Sequence, residues 1–344
     1  MRFEEKELLT FDDVILKPRY STVKSRKDVS IATSLSNKLT LNIPFISSNM
    51  DTITEDEMAI AMSTHGGLGI LHRYAHQDKI VKWIRKIKDC GFKVPIIPSI
   101  GIKPEDKEKL DLYVREGIDG VCLDIAHAHS DNAIYMCSYI KKTYPDLLLI
   151  AGNVATKEGA QDLYIRGGAD IIKVGVGNGS ICSTRLVTGH GIPQLHAILE
   201  IDRFRKEGGY SFKMISDGGV KNSGDCVKAF AAGADAIMSG SLFAGTNETP
   251  WFENGWTKLY RGMASREARD SFQKVENSYT PEGVAFEVKQ RGPVSVVLDQ
   301  LIGGVKSGCS YSGAHTLEEL RRNAVFCKIS HNSMTEGRTH NHNG

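Results

Sequence analysis

A glycine-rich stretch around one cysteine is the part of the sequence best suited to chemistry. It reads GVGNGSICSTRLVTGHGIPQ over residues 175–194 and follows the β-branched run IIKV. Glycines at this density let the backbone turn sharply and bring its N–H groups toward a ligand. A cysteine in such a loop is more accessible to a substrate than one inside a helix, so Cys182 is predicted to be a nucleophile. The alternative is a flexible turn in which this cysteine is only a small apolar residue.

Polar residues also follow other apolar runs, where the strands of a parallel sheet are expected to end. They are Ser48, Asn49 and Asp51; His72 and Arg73; Asp124 and His127; Asn153; Asp217, Gly218 and Gly219; and Gly240 with Ser241. Polar groups gathered at one rim of an apolar sheet are typical of a ligand site. The triplets DGG and SGS favour an anion such as phosphate, although turn geometry alone explains each glycine pair equally well.

Eight short apolar runs position these residues. They are PFISSNMD at 44–51, GLGILHR at 67–73, VPIIPSIG at 94–101, GVCLDIAHAH at 120–129, LLLIAGNV at 147–154, IIKVGVG at 171–177, KMISDGG at 213–219 and AIMSGSLFAG at 236–245. Between them lie segments such as KIVKWIRKIKDCG, whose apolar residues recur near i, i+3 and i+4. The alternation predicts an α/β chain folded as a parallel (β/α)8 barrel, a TIM barrel, with its active site at the carboxyl ends of the strands.

The regular pattern stops near residue 247. Residues 247–293 are aromatic and charged without a sustained period, which predicts a lid or binding loop. The stretch VSVVLDQLIGGVKSGCSY after it is predicted to be a helix that packs back on the barrel. We therefore expect one barrel domain over residues 1–330 and a disordered polar tail over residues 331–344.

Composition argues against several classes of function. The chain has 43 Lys and Arg against 41 Asp and Glu, so its charge indicates neither a nucleic-acid nor an anionic membrane partner. No apolar run approaches the roughly 20 residues of a membrane span, and the charged N-terminal stretch lacks a signal core. The seven cysteines show no CxxC pair and no metal-type spacing, which indicates reduced thiols in the cytoplasm.

Across nearly its whole length the sequence resembles the family of IMP dehydrogenase and GMP reductase. The stretches that carry the resemblance are SSNMDTITEDEMAIAMSTHGGLGILHR, AGNVAT, GVGNGSICSTR, ISDGGVKNSGDCVKAFAAGAD, GSLFAG, YRGM and PEG. The resemblance implies a TIM barrel, a purine nucleotide substrate such as GMP or IMP, a nicotinamide cofactor, and a homotetramer or octamer. The short segment between the second and third runs leaves no room for the CBS module that many dehydrogenases of the family insert there.

The resemblance also implies roles for individual residues. Cys182 would attack carbon 2 of the purine, while Thr184 and Glu282 would relay protons. The residues matched to the substrate are Ser48, Met50, Ser180, Asp217, Gly218, Gly219, Gly240, Ser241, Tyr260, Gly262 and Met263. Those matched to the cofactor are Asp51, Asp124, Ala126, His127 and Asn153. Carbonyls of Gly177, Gly179 and Cys182 would hold K+, unless substrate alone orders the loop.

The predicted lid favours GMP reductase over IMP dehydrogenase. Dehydrogenases of the family hydrolyse their adduct with an Arg-Tyr dipeptide just before Phe-Gln, whereas this sequence reads Asp270-Ser271-Phe272-Gln273. A reductase needs no such water. We therefore expect NADPH-dependent conversion of GMP to IMP and ammonia through a covalent thioimidate on Cys182. The alternatives are an IMP dehydrogenase without the CBS module, and an inactive purine-nucleotide-binding protein suggested by the unusual Asn178 and Tyr279.

Overall fold

Eight parallel strands form the centre of the computed structural model, which describes residues 7–250, 257–272 and 280–337. Each strand lies within one of the eight predicted apolar runs. The strands are Phe45–Ser47, Leu68–Gly69, Ser99–Ile100, Gly120–Asp124, Leu148–Val154, Ile171–Val174, Lys213–Asp217 and Ala236–Ser239. Consecutive strands are neighbours from the third to the eighth, and the eighth pairs with the first through Ile237 and Phe45.

The sheet closes into a barrel between its second and third strands. Leu71 and Pro98 form a parallel bridge there, and the N–H of Ser99 donates to the carbonyl of Leu71 at 2.9 Å. An antiparallel hairpin of Thr33–Ser36 and Leu39–Leu41 precedes the first strand. Its buried leucines share one apolar cluster with the barrel strands, so the hairpin covers the amino-terminal end of the barrel. The predicted (β/α)8 barrel is confirmed.

Helices follow the strands and cover the outside of the barrel, except for the short helix Thr184–Thr188, which has no buried residue. They are Asp56–Thr64, Gln77–Lys88, Glu105–Arg115, Asp131–Thr143, Lys157–Gln161 with a π-helical turn at Asp162–Arg166, Thr184–Thr188, Gln194–Glu207, Ser223–Ala232 and Val294–Tyr311. The helix Gln77–Lys88 shows why these segments pack on the barrel, because Ile80, Ile84 and Ile87 recur on one buried face. The last is the helix predicted after the lid, and it packs against Ser223–Ala232.

The predicted lid contains more regular structure than its composition indicates. Strands Thr257–Arg261 and Ala285–Lys289 form an antiparallel hairpin, and Arg266–Phe272 is a helix. Phe286 in this hairpin is 45 % exposed, which shows why the lid lacks the apolar alternation of a buried strand. Residues 251–256 and 273–279, including Gln273 and Tyr279, lie outside the described part of the chain.

The terminal segments pair with each other. Strand Val14–Leu16 runs antiparallel to Phe326–Lys328, next to the helix Leu317–Asn323. The first part of the segment predicted to be a disordered tail, His331–Glu336, is a helix in which the hydroxyl of Ser330 accepts from the N–H of Ser333. Residues 338–344 lie outside the described residues. Within the described ranges, no helix has the length and hydrophobicity to span a bilayer.

Candidate active site

A cavity of about 960 Å³ opens at the carboxyl ends of the barrel strands. All residues predicted to be catalytic or substrate-binding line it: Cys182, Thr184, Glu282, Ser48, Met50, Ser180, Asp217, Gly218, Gly219, Gly240, Ser241, Tyr260, Gly262 and Met263. Of the predicted cofactor residues, Asp124, Ala126 and Asn153 line it as well. A concave site of this size with a few convergent polar groups is typical of a small-molecule pocket.

Cys182, Thr184 and Glu282 form a continuous hydrogen-bonded chain. The thiol of Cys182 donates to Oγ1 of Thr184 at 3.1 Å, and that hydroxyl donates to Oε2 of Glu282 at 2.9 Å. Cys182 is exposed, whereas Cys122, Cys137 and four other thiols are buried or half-buried. The arrangement can pass a proton between the sulfur and a carboxylate through the hydroxyl, which is how a nucleophile is activated.

Backbone pairing holds this relay together across the sequence. Cys182 and Gly283 form an isolated antiparallel bridge. On either side of it, the N–H of Ser183 donates to the carbonyl of Glu282 at 3.0 Å, and the N–H of Val284 to Ile181 at 3.1 Å. The loop after the sixth strand therefore pairs with the segment that leads into the lid hairpin. This pairing fixes the position of Cys182 relative to Glu282.

A buried lysine joins two carboxylates of the predicted site. Nζ of Lys173 donates to Oδ1 of Asp124 at 3.0 Å and to Oδ2 of Asp217 at 2.7 Å, and Asn153 donates to the same Asp217 oxygen at 3.0 Å. Burial alone would raise the pKa of Asp124, but Lys173 and Arg73 outweigh it and hold that pKa below its usual value. Sequence analysis missed Lys173, although a lysine inside a β-branched run signals a paired buried charge.

Two glycines and two hydroxyl groups also line the cavity. Gly219 has a φ of +79°, a conformation that glycine adopts without strain. A Cβ on Gly240 would lie 2.8 Å from the sulfur of Met50 and 3.0 Å from Oη of Tyr260, so a side chain there would displace Met50. Tyr260 and Ser180 share a hydrogen bond of 3.2 Å, and burial raises the pKa of Tyr260 to about 12. Tyr260 is therefore a neutral hydroxyl near pH 7, suited to an anion.

Four predicted residues, among them the buried His72, do not line the cavity. Asp51 is 3 % exposed and its Oδ2 accepts from Nε of Arg261 at 2.9 Å, so the protein itself occupies one oxygen of the group predicted to contact cofactor. His127 is exposed, with its ring 6.3 Å from that of His129. Gly177 packs against Arg185 instead.

The cavity also contains side chains that sequence analysis did not single out. They are Tyr74, Lys103, Lys221 and Arg291. These residues lie on loops, where neither periodicity nor spacing reports a shared location. Among the described residues, no group of three or more His, Cys, Asp or Glu is placed to hold a metal ion.

Comparison with known proteins identifies the family. The IMP dehydrogenase / GMP reductase domain matches residues 8–340. The chain belongs to this family. It is 39 % identical to the inosine-5′-monophosphate dehydrogenase of Borreliella burgdorferi over 396 residues, covering 97 % of each protein. The enzyme of the same name from Nitrosopumilus maritimus is 34 % identical over 473 residues, covering 98 % of this chain and 99 % of that protein. The one from Staphylococcus aureus (strain Mu50 / ATCC 700699) is 32 % identical over 473 residues, covering 98 % and 96 %.

Membership in the IMP dehydrogenase / GMP reductase family confirms the predicted resemblance and makes the chain an oxidoreductase of a nicotinamide-using family. The relatives above are named as IMP dehydrogenases, which favours the predicted alternative over GMP reductase. Two alignments span 473 positions, more than the 344 residues of this chain, so those relatives carry residues that it lacks.

Proposed function

We propose that the chain oxidises IMP to XMP with a nicotinamide dinucleotide, through a covalent adduct on Cys182. The observation that carries the direction is the relative from Borreliella burgdorferi, named as an IMP dehydrogenase and matched over 97 % of both chains. The chemistry is supported by the relay from the sulfur of Cys182 through Thr184 to Glu282.

The residues present fit a nicotinamide group. Oδ1 of Asn153 is buried and has no hydrogen-bond partner within the described residues, so the N–H of a ligand amide would satisfy it. Asp124 and Ala126 line the same cavity. When bound, the cofactor would accept a hydride from carbon 2 of the purine. The chain's part is to hold the purine and the nicotinamide against each other.

The protein residues supply the remaining steps. The thiol of Cys182 gives its proton to the relay, and the sulfur bonds to carbon 2 of IMP. After loss of hydride, carbon 2 remains bound to sulfur as a thioimidate. Glu282 releases that first proton to solvent, and water then adds to carbon 2 and gives a proton through Thr184 to Glu282. The carbon–sulfur bond breaks, XMP and the Cys182 thiolate separate, and Glu282 returns its proton to the sulfur. Water, IMP and the oxidised cofactor are thus consumed, and XMP, reduced cofactor and one proton are formed.

Reduction of GMP with NADPH is the second candidate, and the lid favours it. Its sequence places Asp270 and Ser271 where the resemblance expects Arg-Tyr. The hydroxyl of Ser271 donates to the carbonyl of Glu267 and accepts from Arg261 at 3.0 Å, so protein groups occupy it. In this direction Cys182 would displace ammonia from carbon 2 of GMP, and hydride would then displace the sulfur to give IMP.

One pair of assays separates the candidates. The protein is mixed with IMP and NAD+, or with GMP and NADPH, and the nicotinamide absorbance and the purine products are followed. Formation of XMP with rising absorbance supports IMP oxidation, whereas formation of IMP with falling absorbance refutes it and establishes the reductase. If neither pair turns over, and Cys182→Ala binds IMP as the natural chain does, both proposals fail and nucleotide binding without catalysis remains.

Assembly and ion requirement follow only from the resemblance, whereas location follows from the cysteines. We propose a homotetramer, which light scattering during gel filtration would test against an octamer or a monomer. A reducing compartment such as the cytoplasm suits the chain, because all seven cysteines are free thiols. For K+, the carbonyl of Gly179 accepts from the N–H of Cys182 at 3.1 Å, and its second lone pair is available in principle for a cation.

A further inference from the structure

We propose that Arg261 is a positioning residue for the proton relay, acting through the turn that holds Glu282. The inference rests on the proposed function, in either direction of hydride transfer. It starts from the buried pair of Arg261 with Asp51, a carboxylate that the sequence suggested would contact the cofactor.

The guanidinium of Arg261 connects its own strand to two other segments. Nε donates to Oδ2 of Asp51 at 2.9 Å, and Nη2 donates to the same oxygen. Nη1 donates to the carbonyl of Glu267 at 2.9 Å and to the hydroxyl of Ser271 at 3.0 Å. The side chains of Arg261 and Asp51 are 5 % and 3 % exposed, so solvent does not replace these bonds. The loop after the first barrel strand is thereby fixed to the lid helix Arg266–Phe272.

The backbone connects this cluster to the relay. Directly after Arg261, the N–H of Gly262 donates to the carbonyl of Val284 at 3.0 Å, and the N–H of Glu282 donates to the carbonyl of Ala264 at 3.0 Å. A Cβ on Gly262 would lie 3.3 Å from Cα of Gly283, so the two backbones are in close contact. A shift of the turn after Arg261 would therefore carry Glu282 with it.

The same pair also sets the distance between the relay and the purine pocket. The loop that holds Asp51 contributes Ser48 and Met50 to the cavity, while the turn after Arg261 contributes Met263. A misplacement of about 1 Å in such a site costs about 100-fold in rate. Lysine cannot replace the arginine, because one ammonium cannot reproduce a planar fork that binds a carboxylate and the lid helix together.

The test is Arg261→Lys, with Arg205→Lys as the matched control. Arg205 is also buried and donates to two carboxylates, Asp202 and Asp235, and to two carbonyls. Asp235 directly precedes the eighth strand, so this second cluster lies at the end of the barrel away from the cavity. Both variants remove one planar guanidinium from a buried cluster, and only the first touches the relay.

For Arg261→Lys we expect kcat to fall about 100-fold while the nucleotide KM changes less than about threefold. Glu282→Gln should show the same split, and the double variant should be no slower than Glu282→Gln alone, because both changes disable one relay. Ser271→Ala, which removes one partner of the guanidinium on an exposed residue, should lower kcat severalfold and keep the fold intact. Arg205→Lys should lower Tm and keep kcat within about twofold.

The proposal is overturned if Arg205→Lys loses as much kcat as Arg261→Lys, or if the effects of Arg261→Lys and Glu282→Gln multiply. Alkylation of Cys182 by iodoacetamide, followed by mass spectrometry, separates this failure from failure of the proposed function. If the natural chain turns over neither substrate pair, Arg261→Lys should still change the alkylation rate in the same direction as Glu282→Gln. An unchanged rate in Arg261→Lys, with a changed one in Glu282→Gln, refutes the positioning role.

Discussion

Replacing Lys173 by methionine would remove the only charge shown here to bridge Asp124 and Asp217 within the described residues. Both carboxylates accept from Nζ, at 3.0 and 2.7 Å, and the lysine side chain is 3 % exposed. Breaking a buried ion pair on one side costs about 3–5 kcal/mol, because the remaining charge has neither water nor partner. For 344 residues, an unfolding entropy of about 2.1 cal/mol/K per residue converts this loss into a fall in Tm of about 4–7 °C.

The loss of stability in Lys173→Met should depend on pH. The direction of that dependence follows from the pKa of Asp124. In the natural chain Lys173 and Arg73 keep the pKa of Asp124 low despite burial, so this carboxylate stabilises the fold above its unfolded pKa and loses that contribution in strong acid. Without Lys173, burial is opposed mainly by Arg73, so we expect the pKa of Asp124 to be higher in the variant than in the natural chain. The deficit in unfolding free energy should therefore be largest at pH 8 and shrink toward pH 5, where the carboxyl group takes up a proton.

Scanning calorimetry of Lys173→Met at pH 8 and pH 5 measures this difference. The control is Lys141→Met: Lys141 pairs with Asp170 just before the same barrel strand, and it is 22 % exposed. This partly solvated pair is expected to contribute about 1 kcal/mol. Equal deficits of Lys173→Met at both pH values, or a deficit no larger than that of the control, would refute the reasoning.

Four further outcomes are expected. Cys182→Ala should abolish turnover; residual product formation would exclude the covalent route. Glu282→Gln should lower kcat about 100-fold or more, since proton transfer contributes about 10²–10⁴-fold, and a loss below tenfold would exclude the carboxylate as the relay's acceptor. Tyr260→Phe, which removes the hydroxyl bonded to Ser180, should raise the nucleotide KM about 2–10-fold at constant kcat, as the loss of one hydrogen bond implies. Exchanging K+ for a large organic cation at constant ionic strength should lower kcat; an unchanged rate would exclude the carbonyl site.

The barrel could be predicted because each of its strands is determined by a short stretch of sequence. Each strand is a short apolar run that sequence periodicity reports directly, as in LLLIAGNV, where residues 148–154 form the fifth strand. The order of the strands then follows from the right-handed alternation of strand and helix. The lid hairpin could not be predicted this way, since strands with one solvent-facing side and irregular spacing leave no strong pattern.

The sequence predicted most of the residues that line the site, but fewer of the contacts between them. Strand ends converge in any barrel, which is why the polar residues after them line one cavity. Asp51 also follows a strand end, but Arg261, which lies 210 positions later in the chain, takes its carboxylate. No local pattern reports such a pairing. The contact of Thr184 with Glu282 is equally distant, and only the family resemblance indicated it.

The ladder between residues 181–183 and 282–284 constrains how lids can be recombined among relatives. A chimera that takes its insert between Ser265 and Pro281 keeps both edges of this ladder from one parent. Breakpoints inside residues 181–184 would instead combine the sulfur of one parent with the hydrogen-bond register of the other. Lid transplants that aim to redirect the adduct from water to ammonia chemistry should therefore leave the ladder whole and exchange only the segment between its ends.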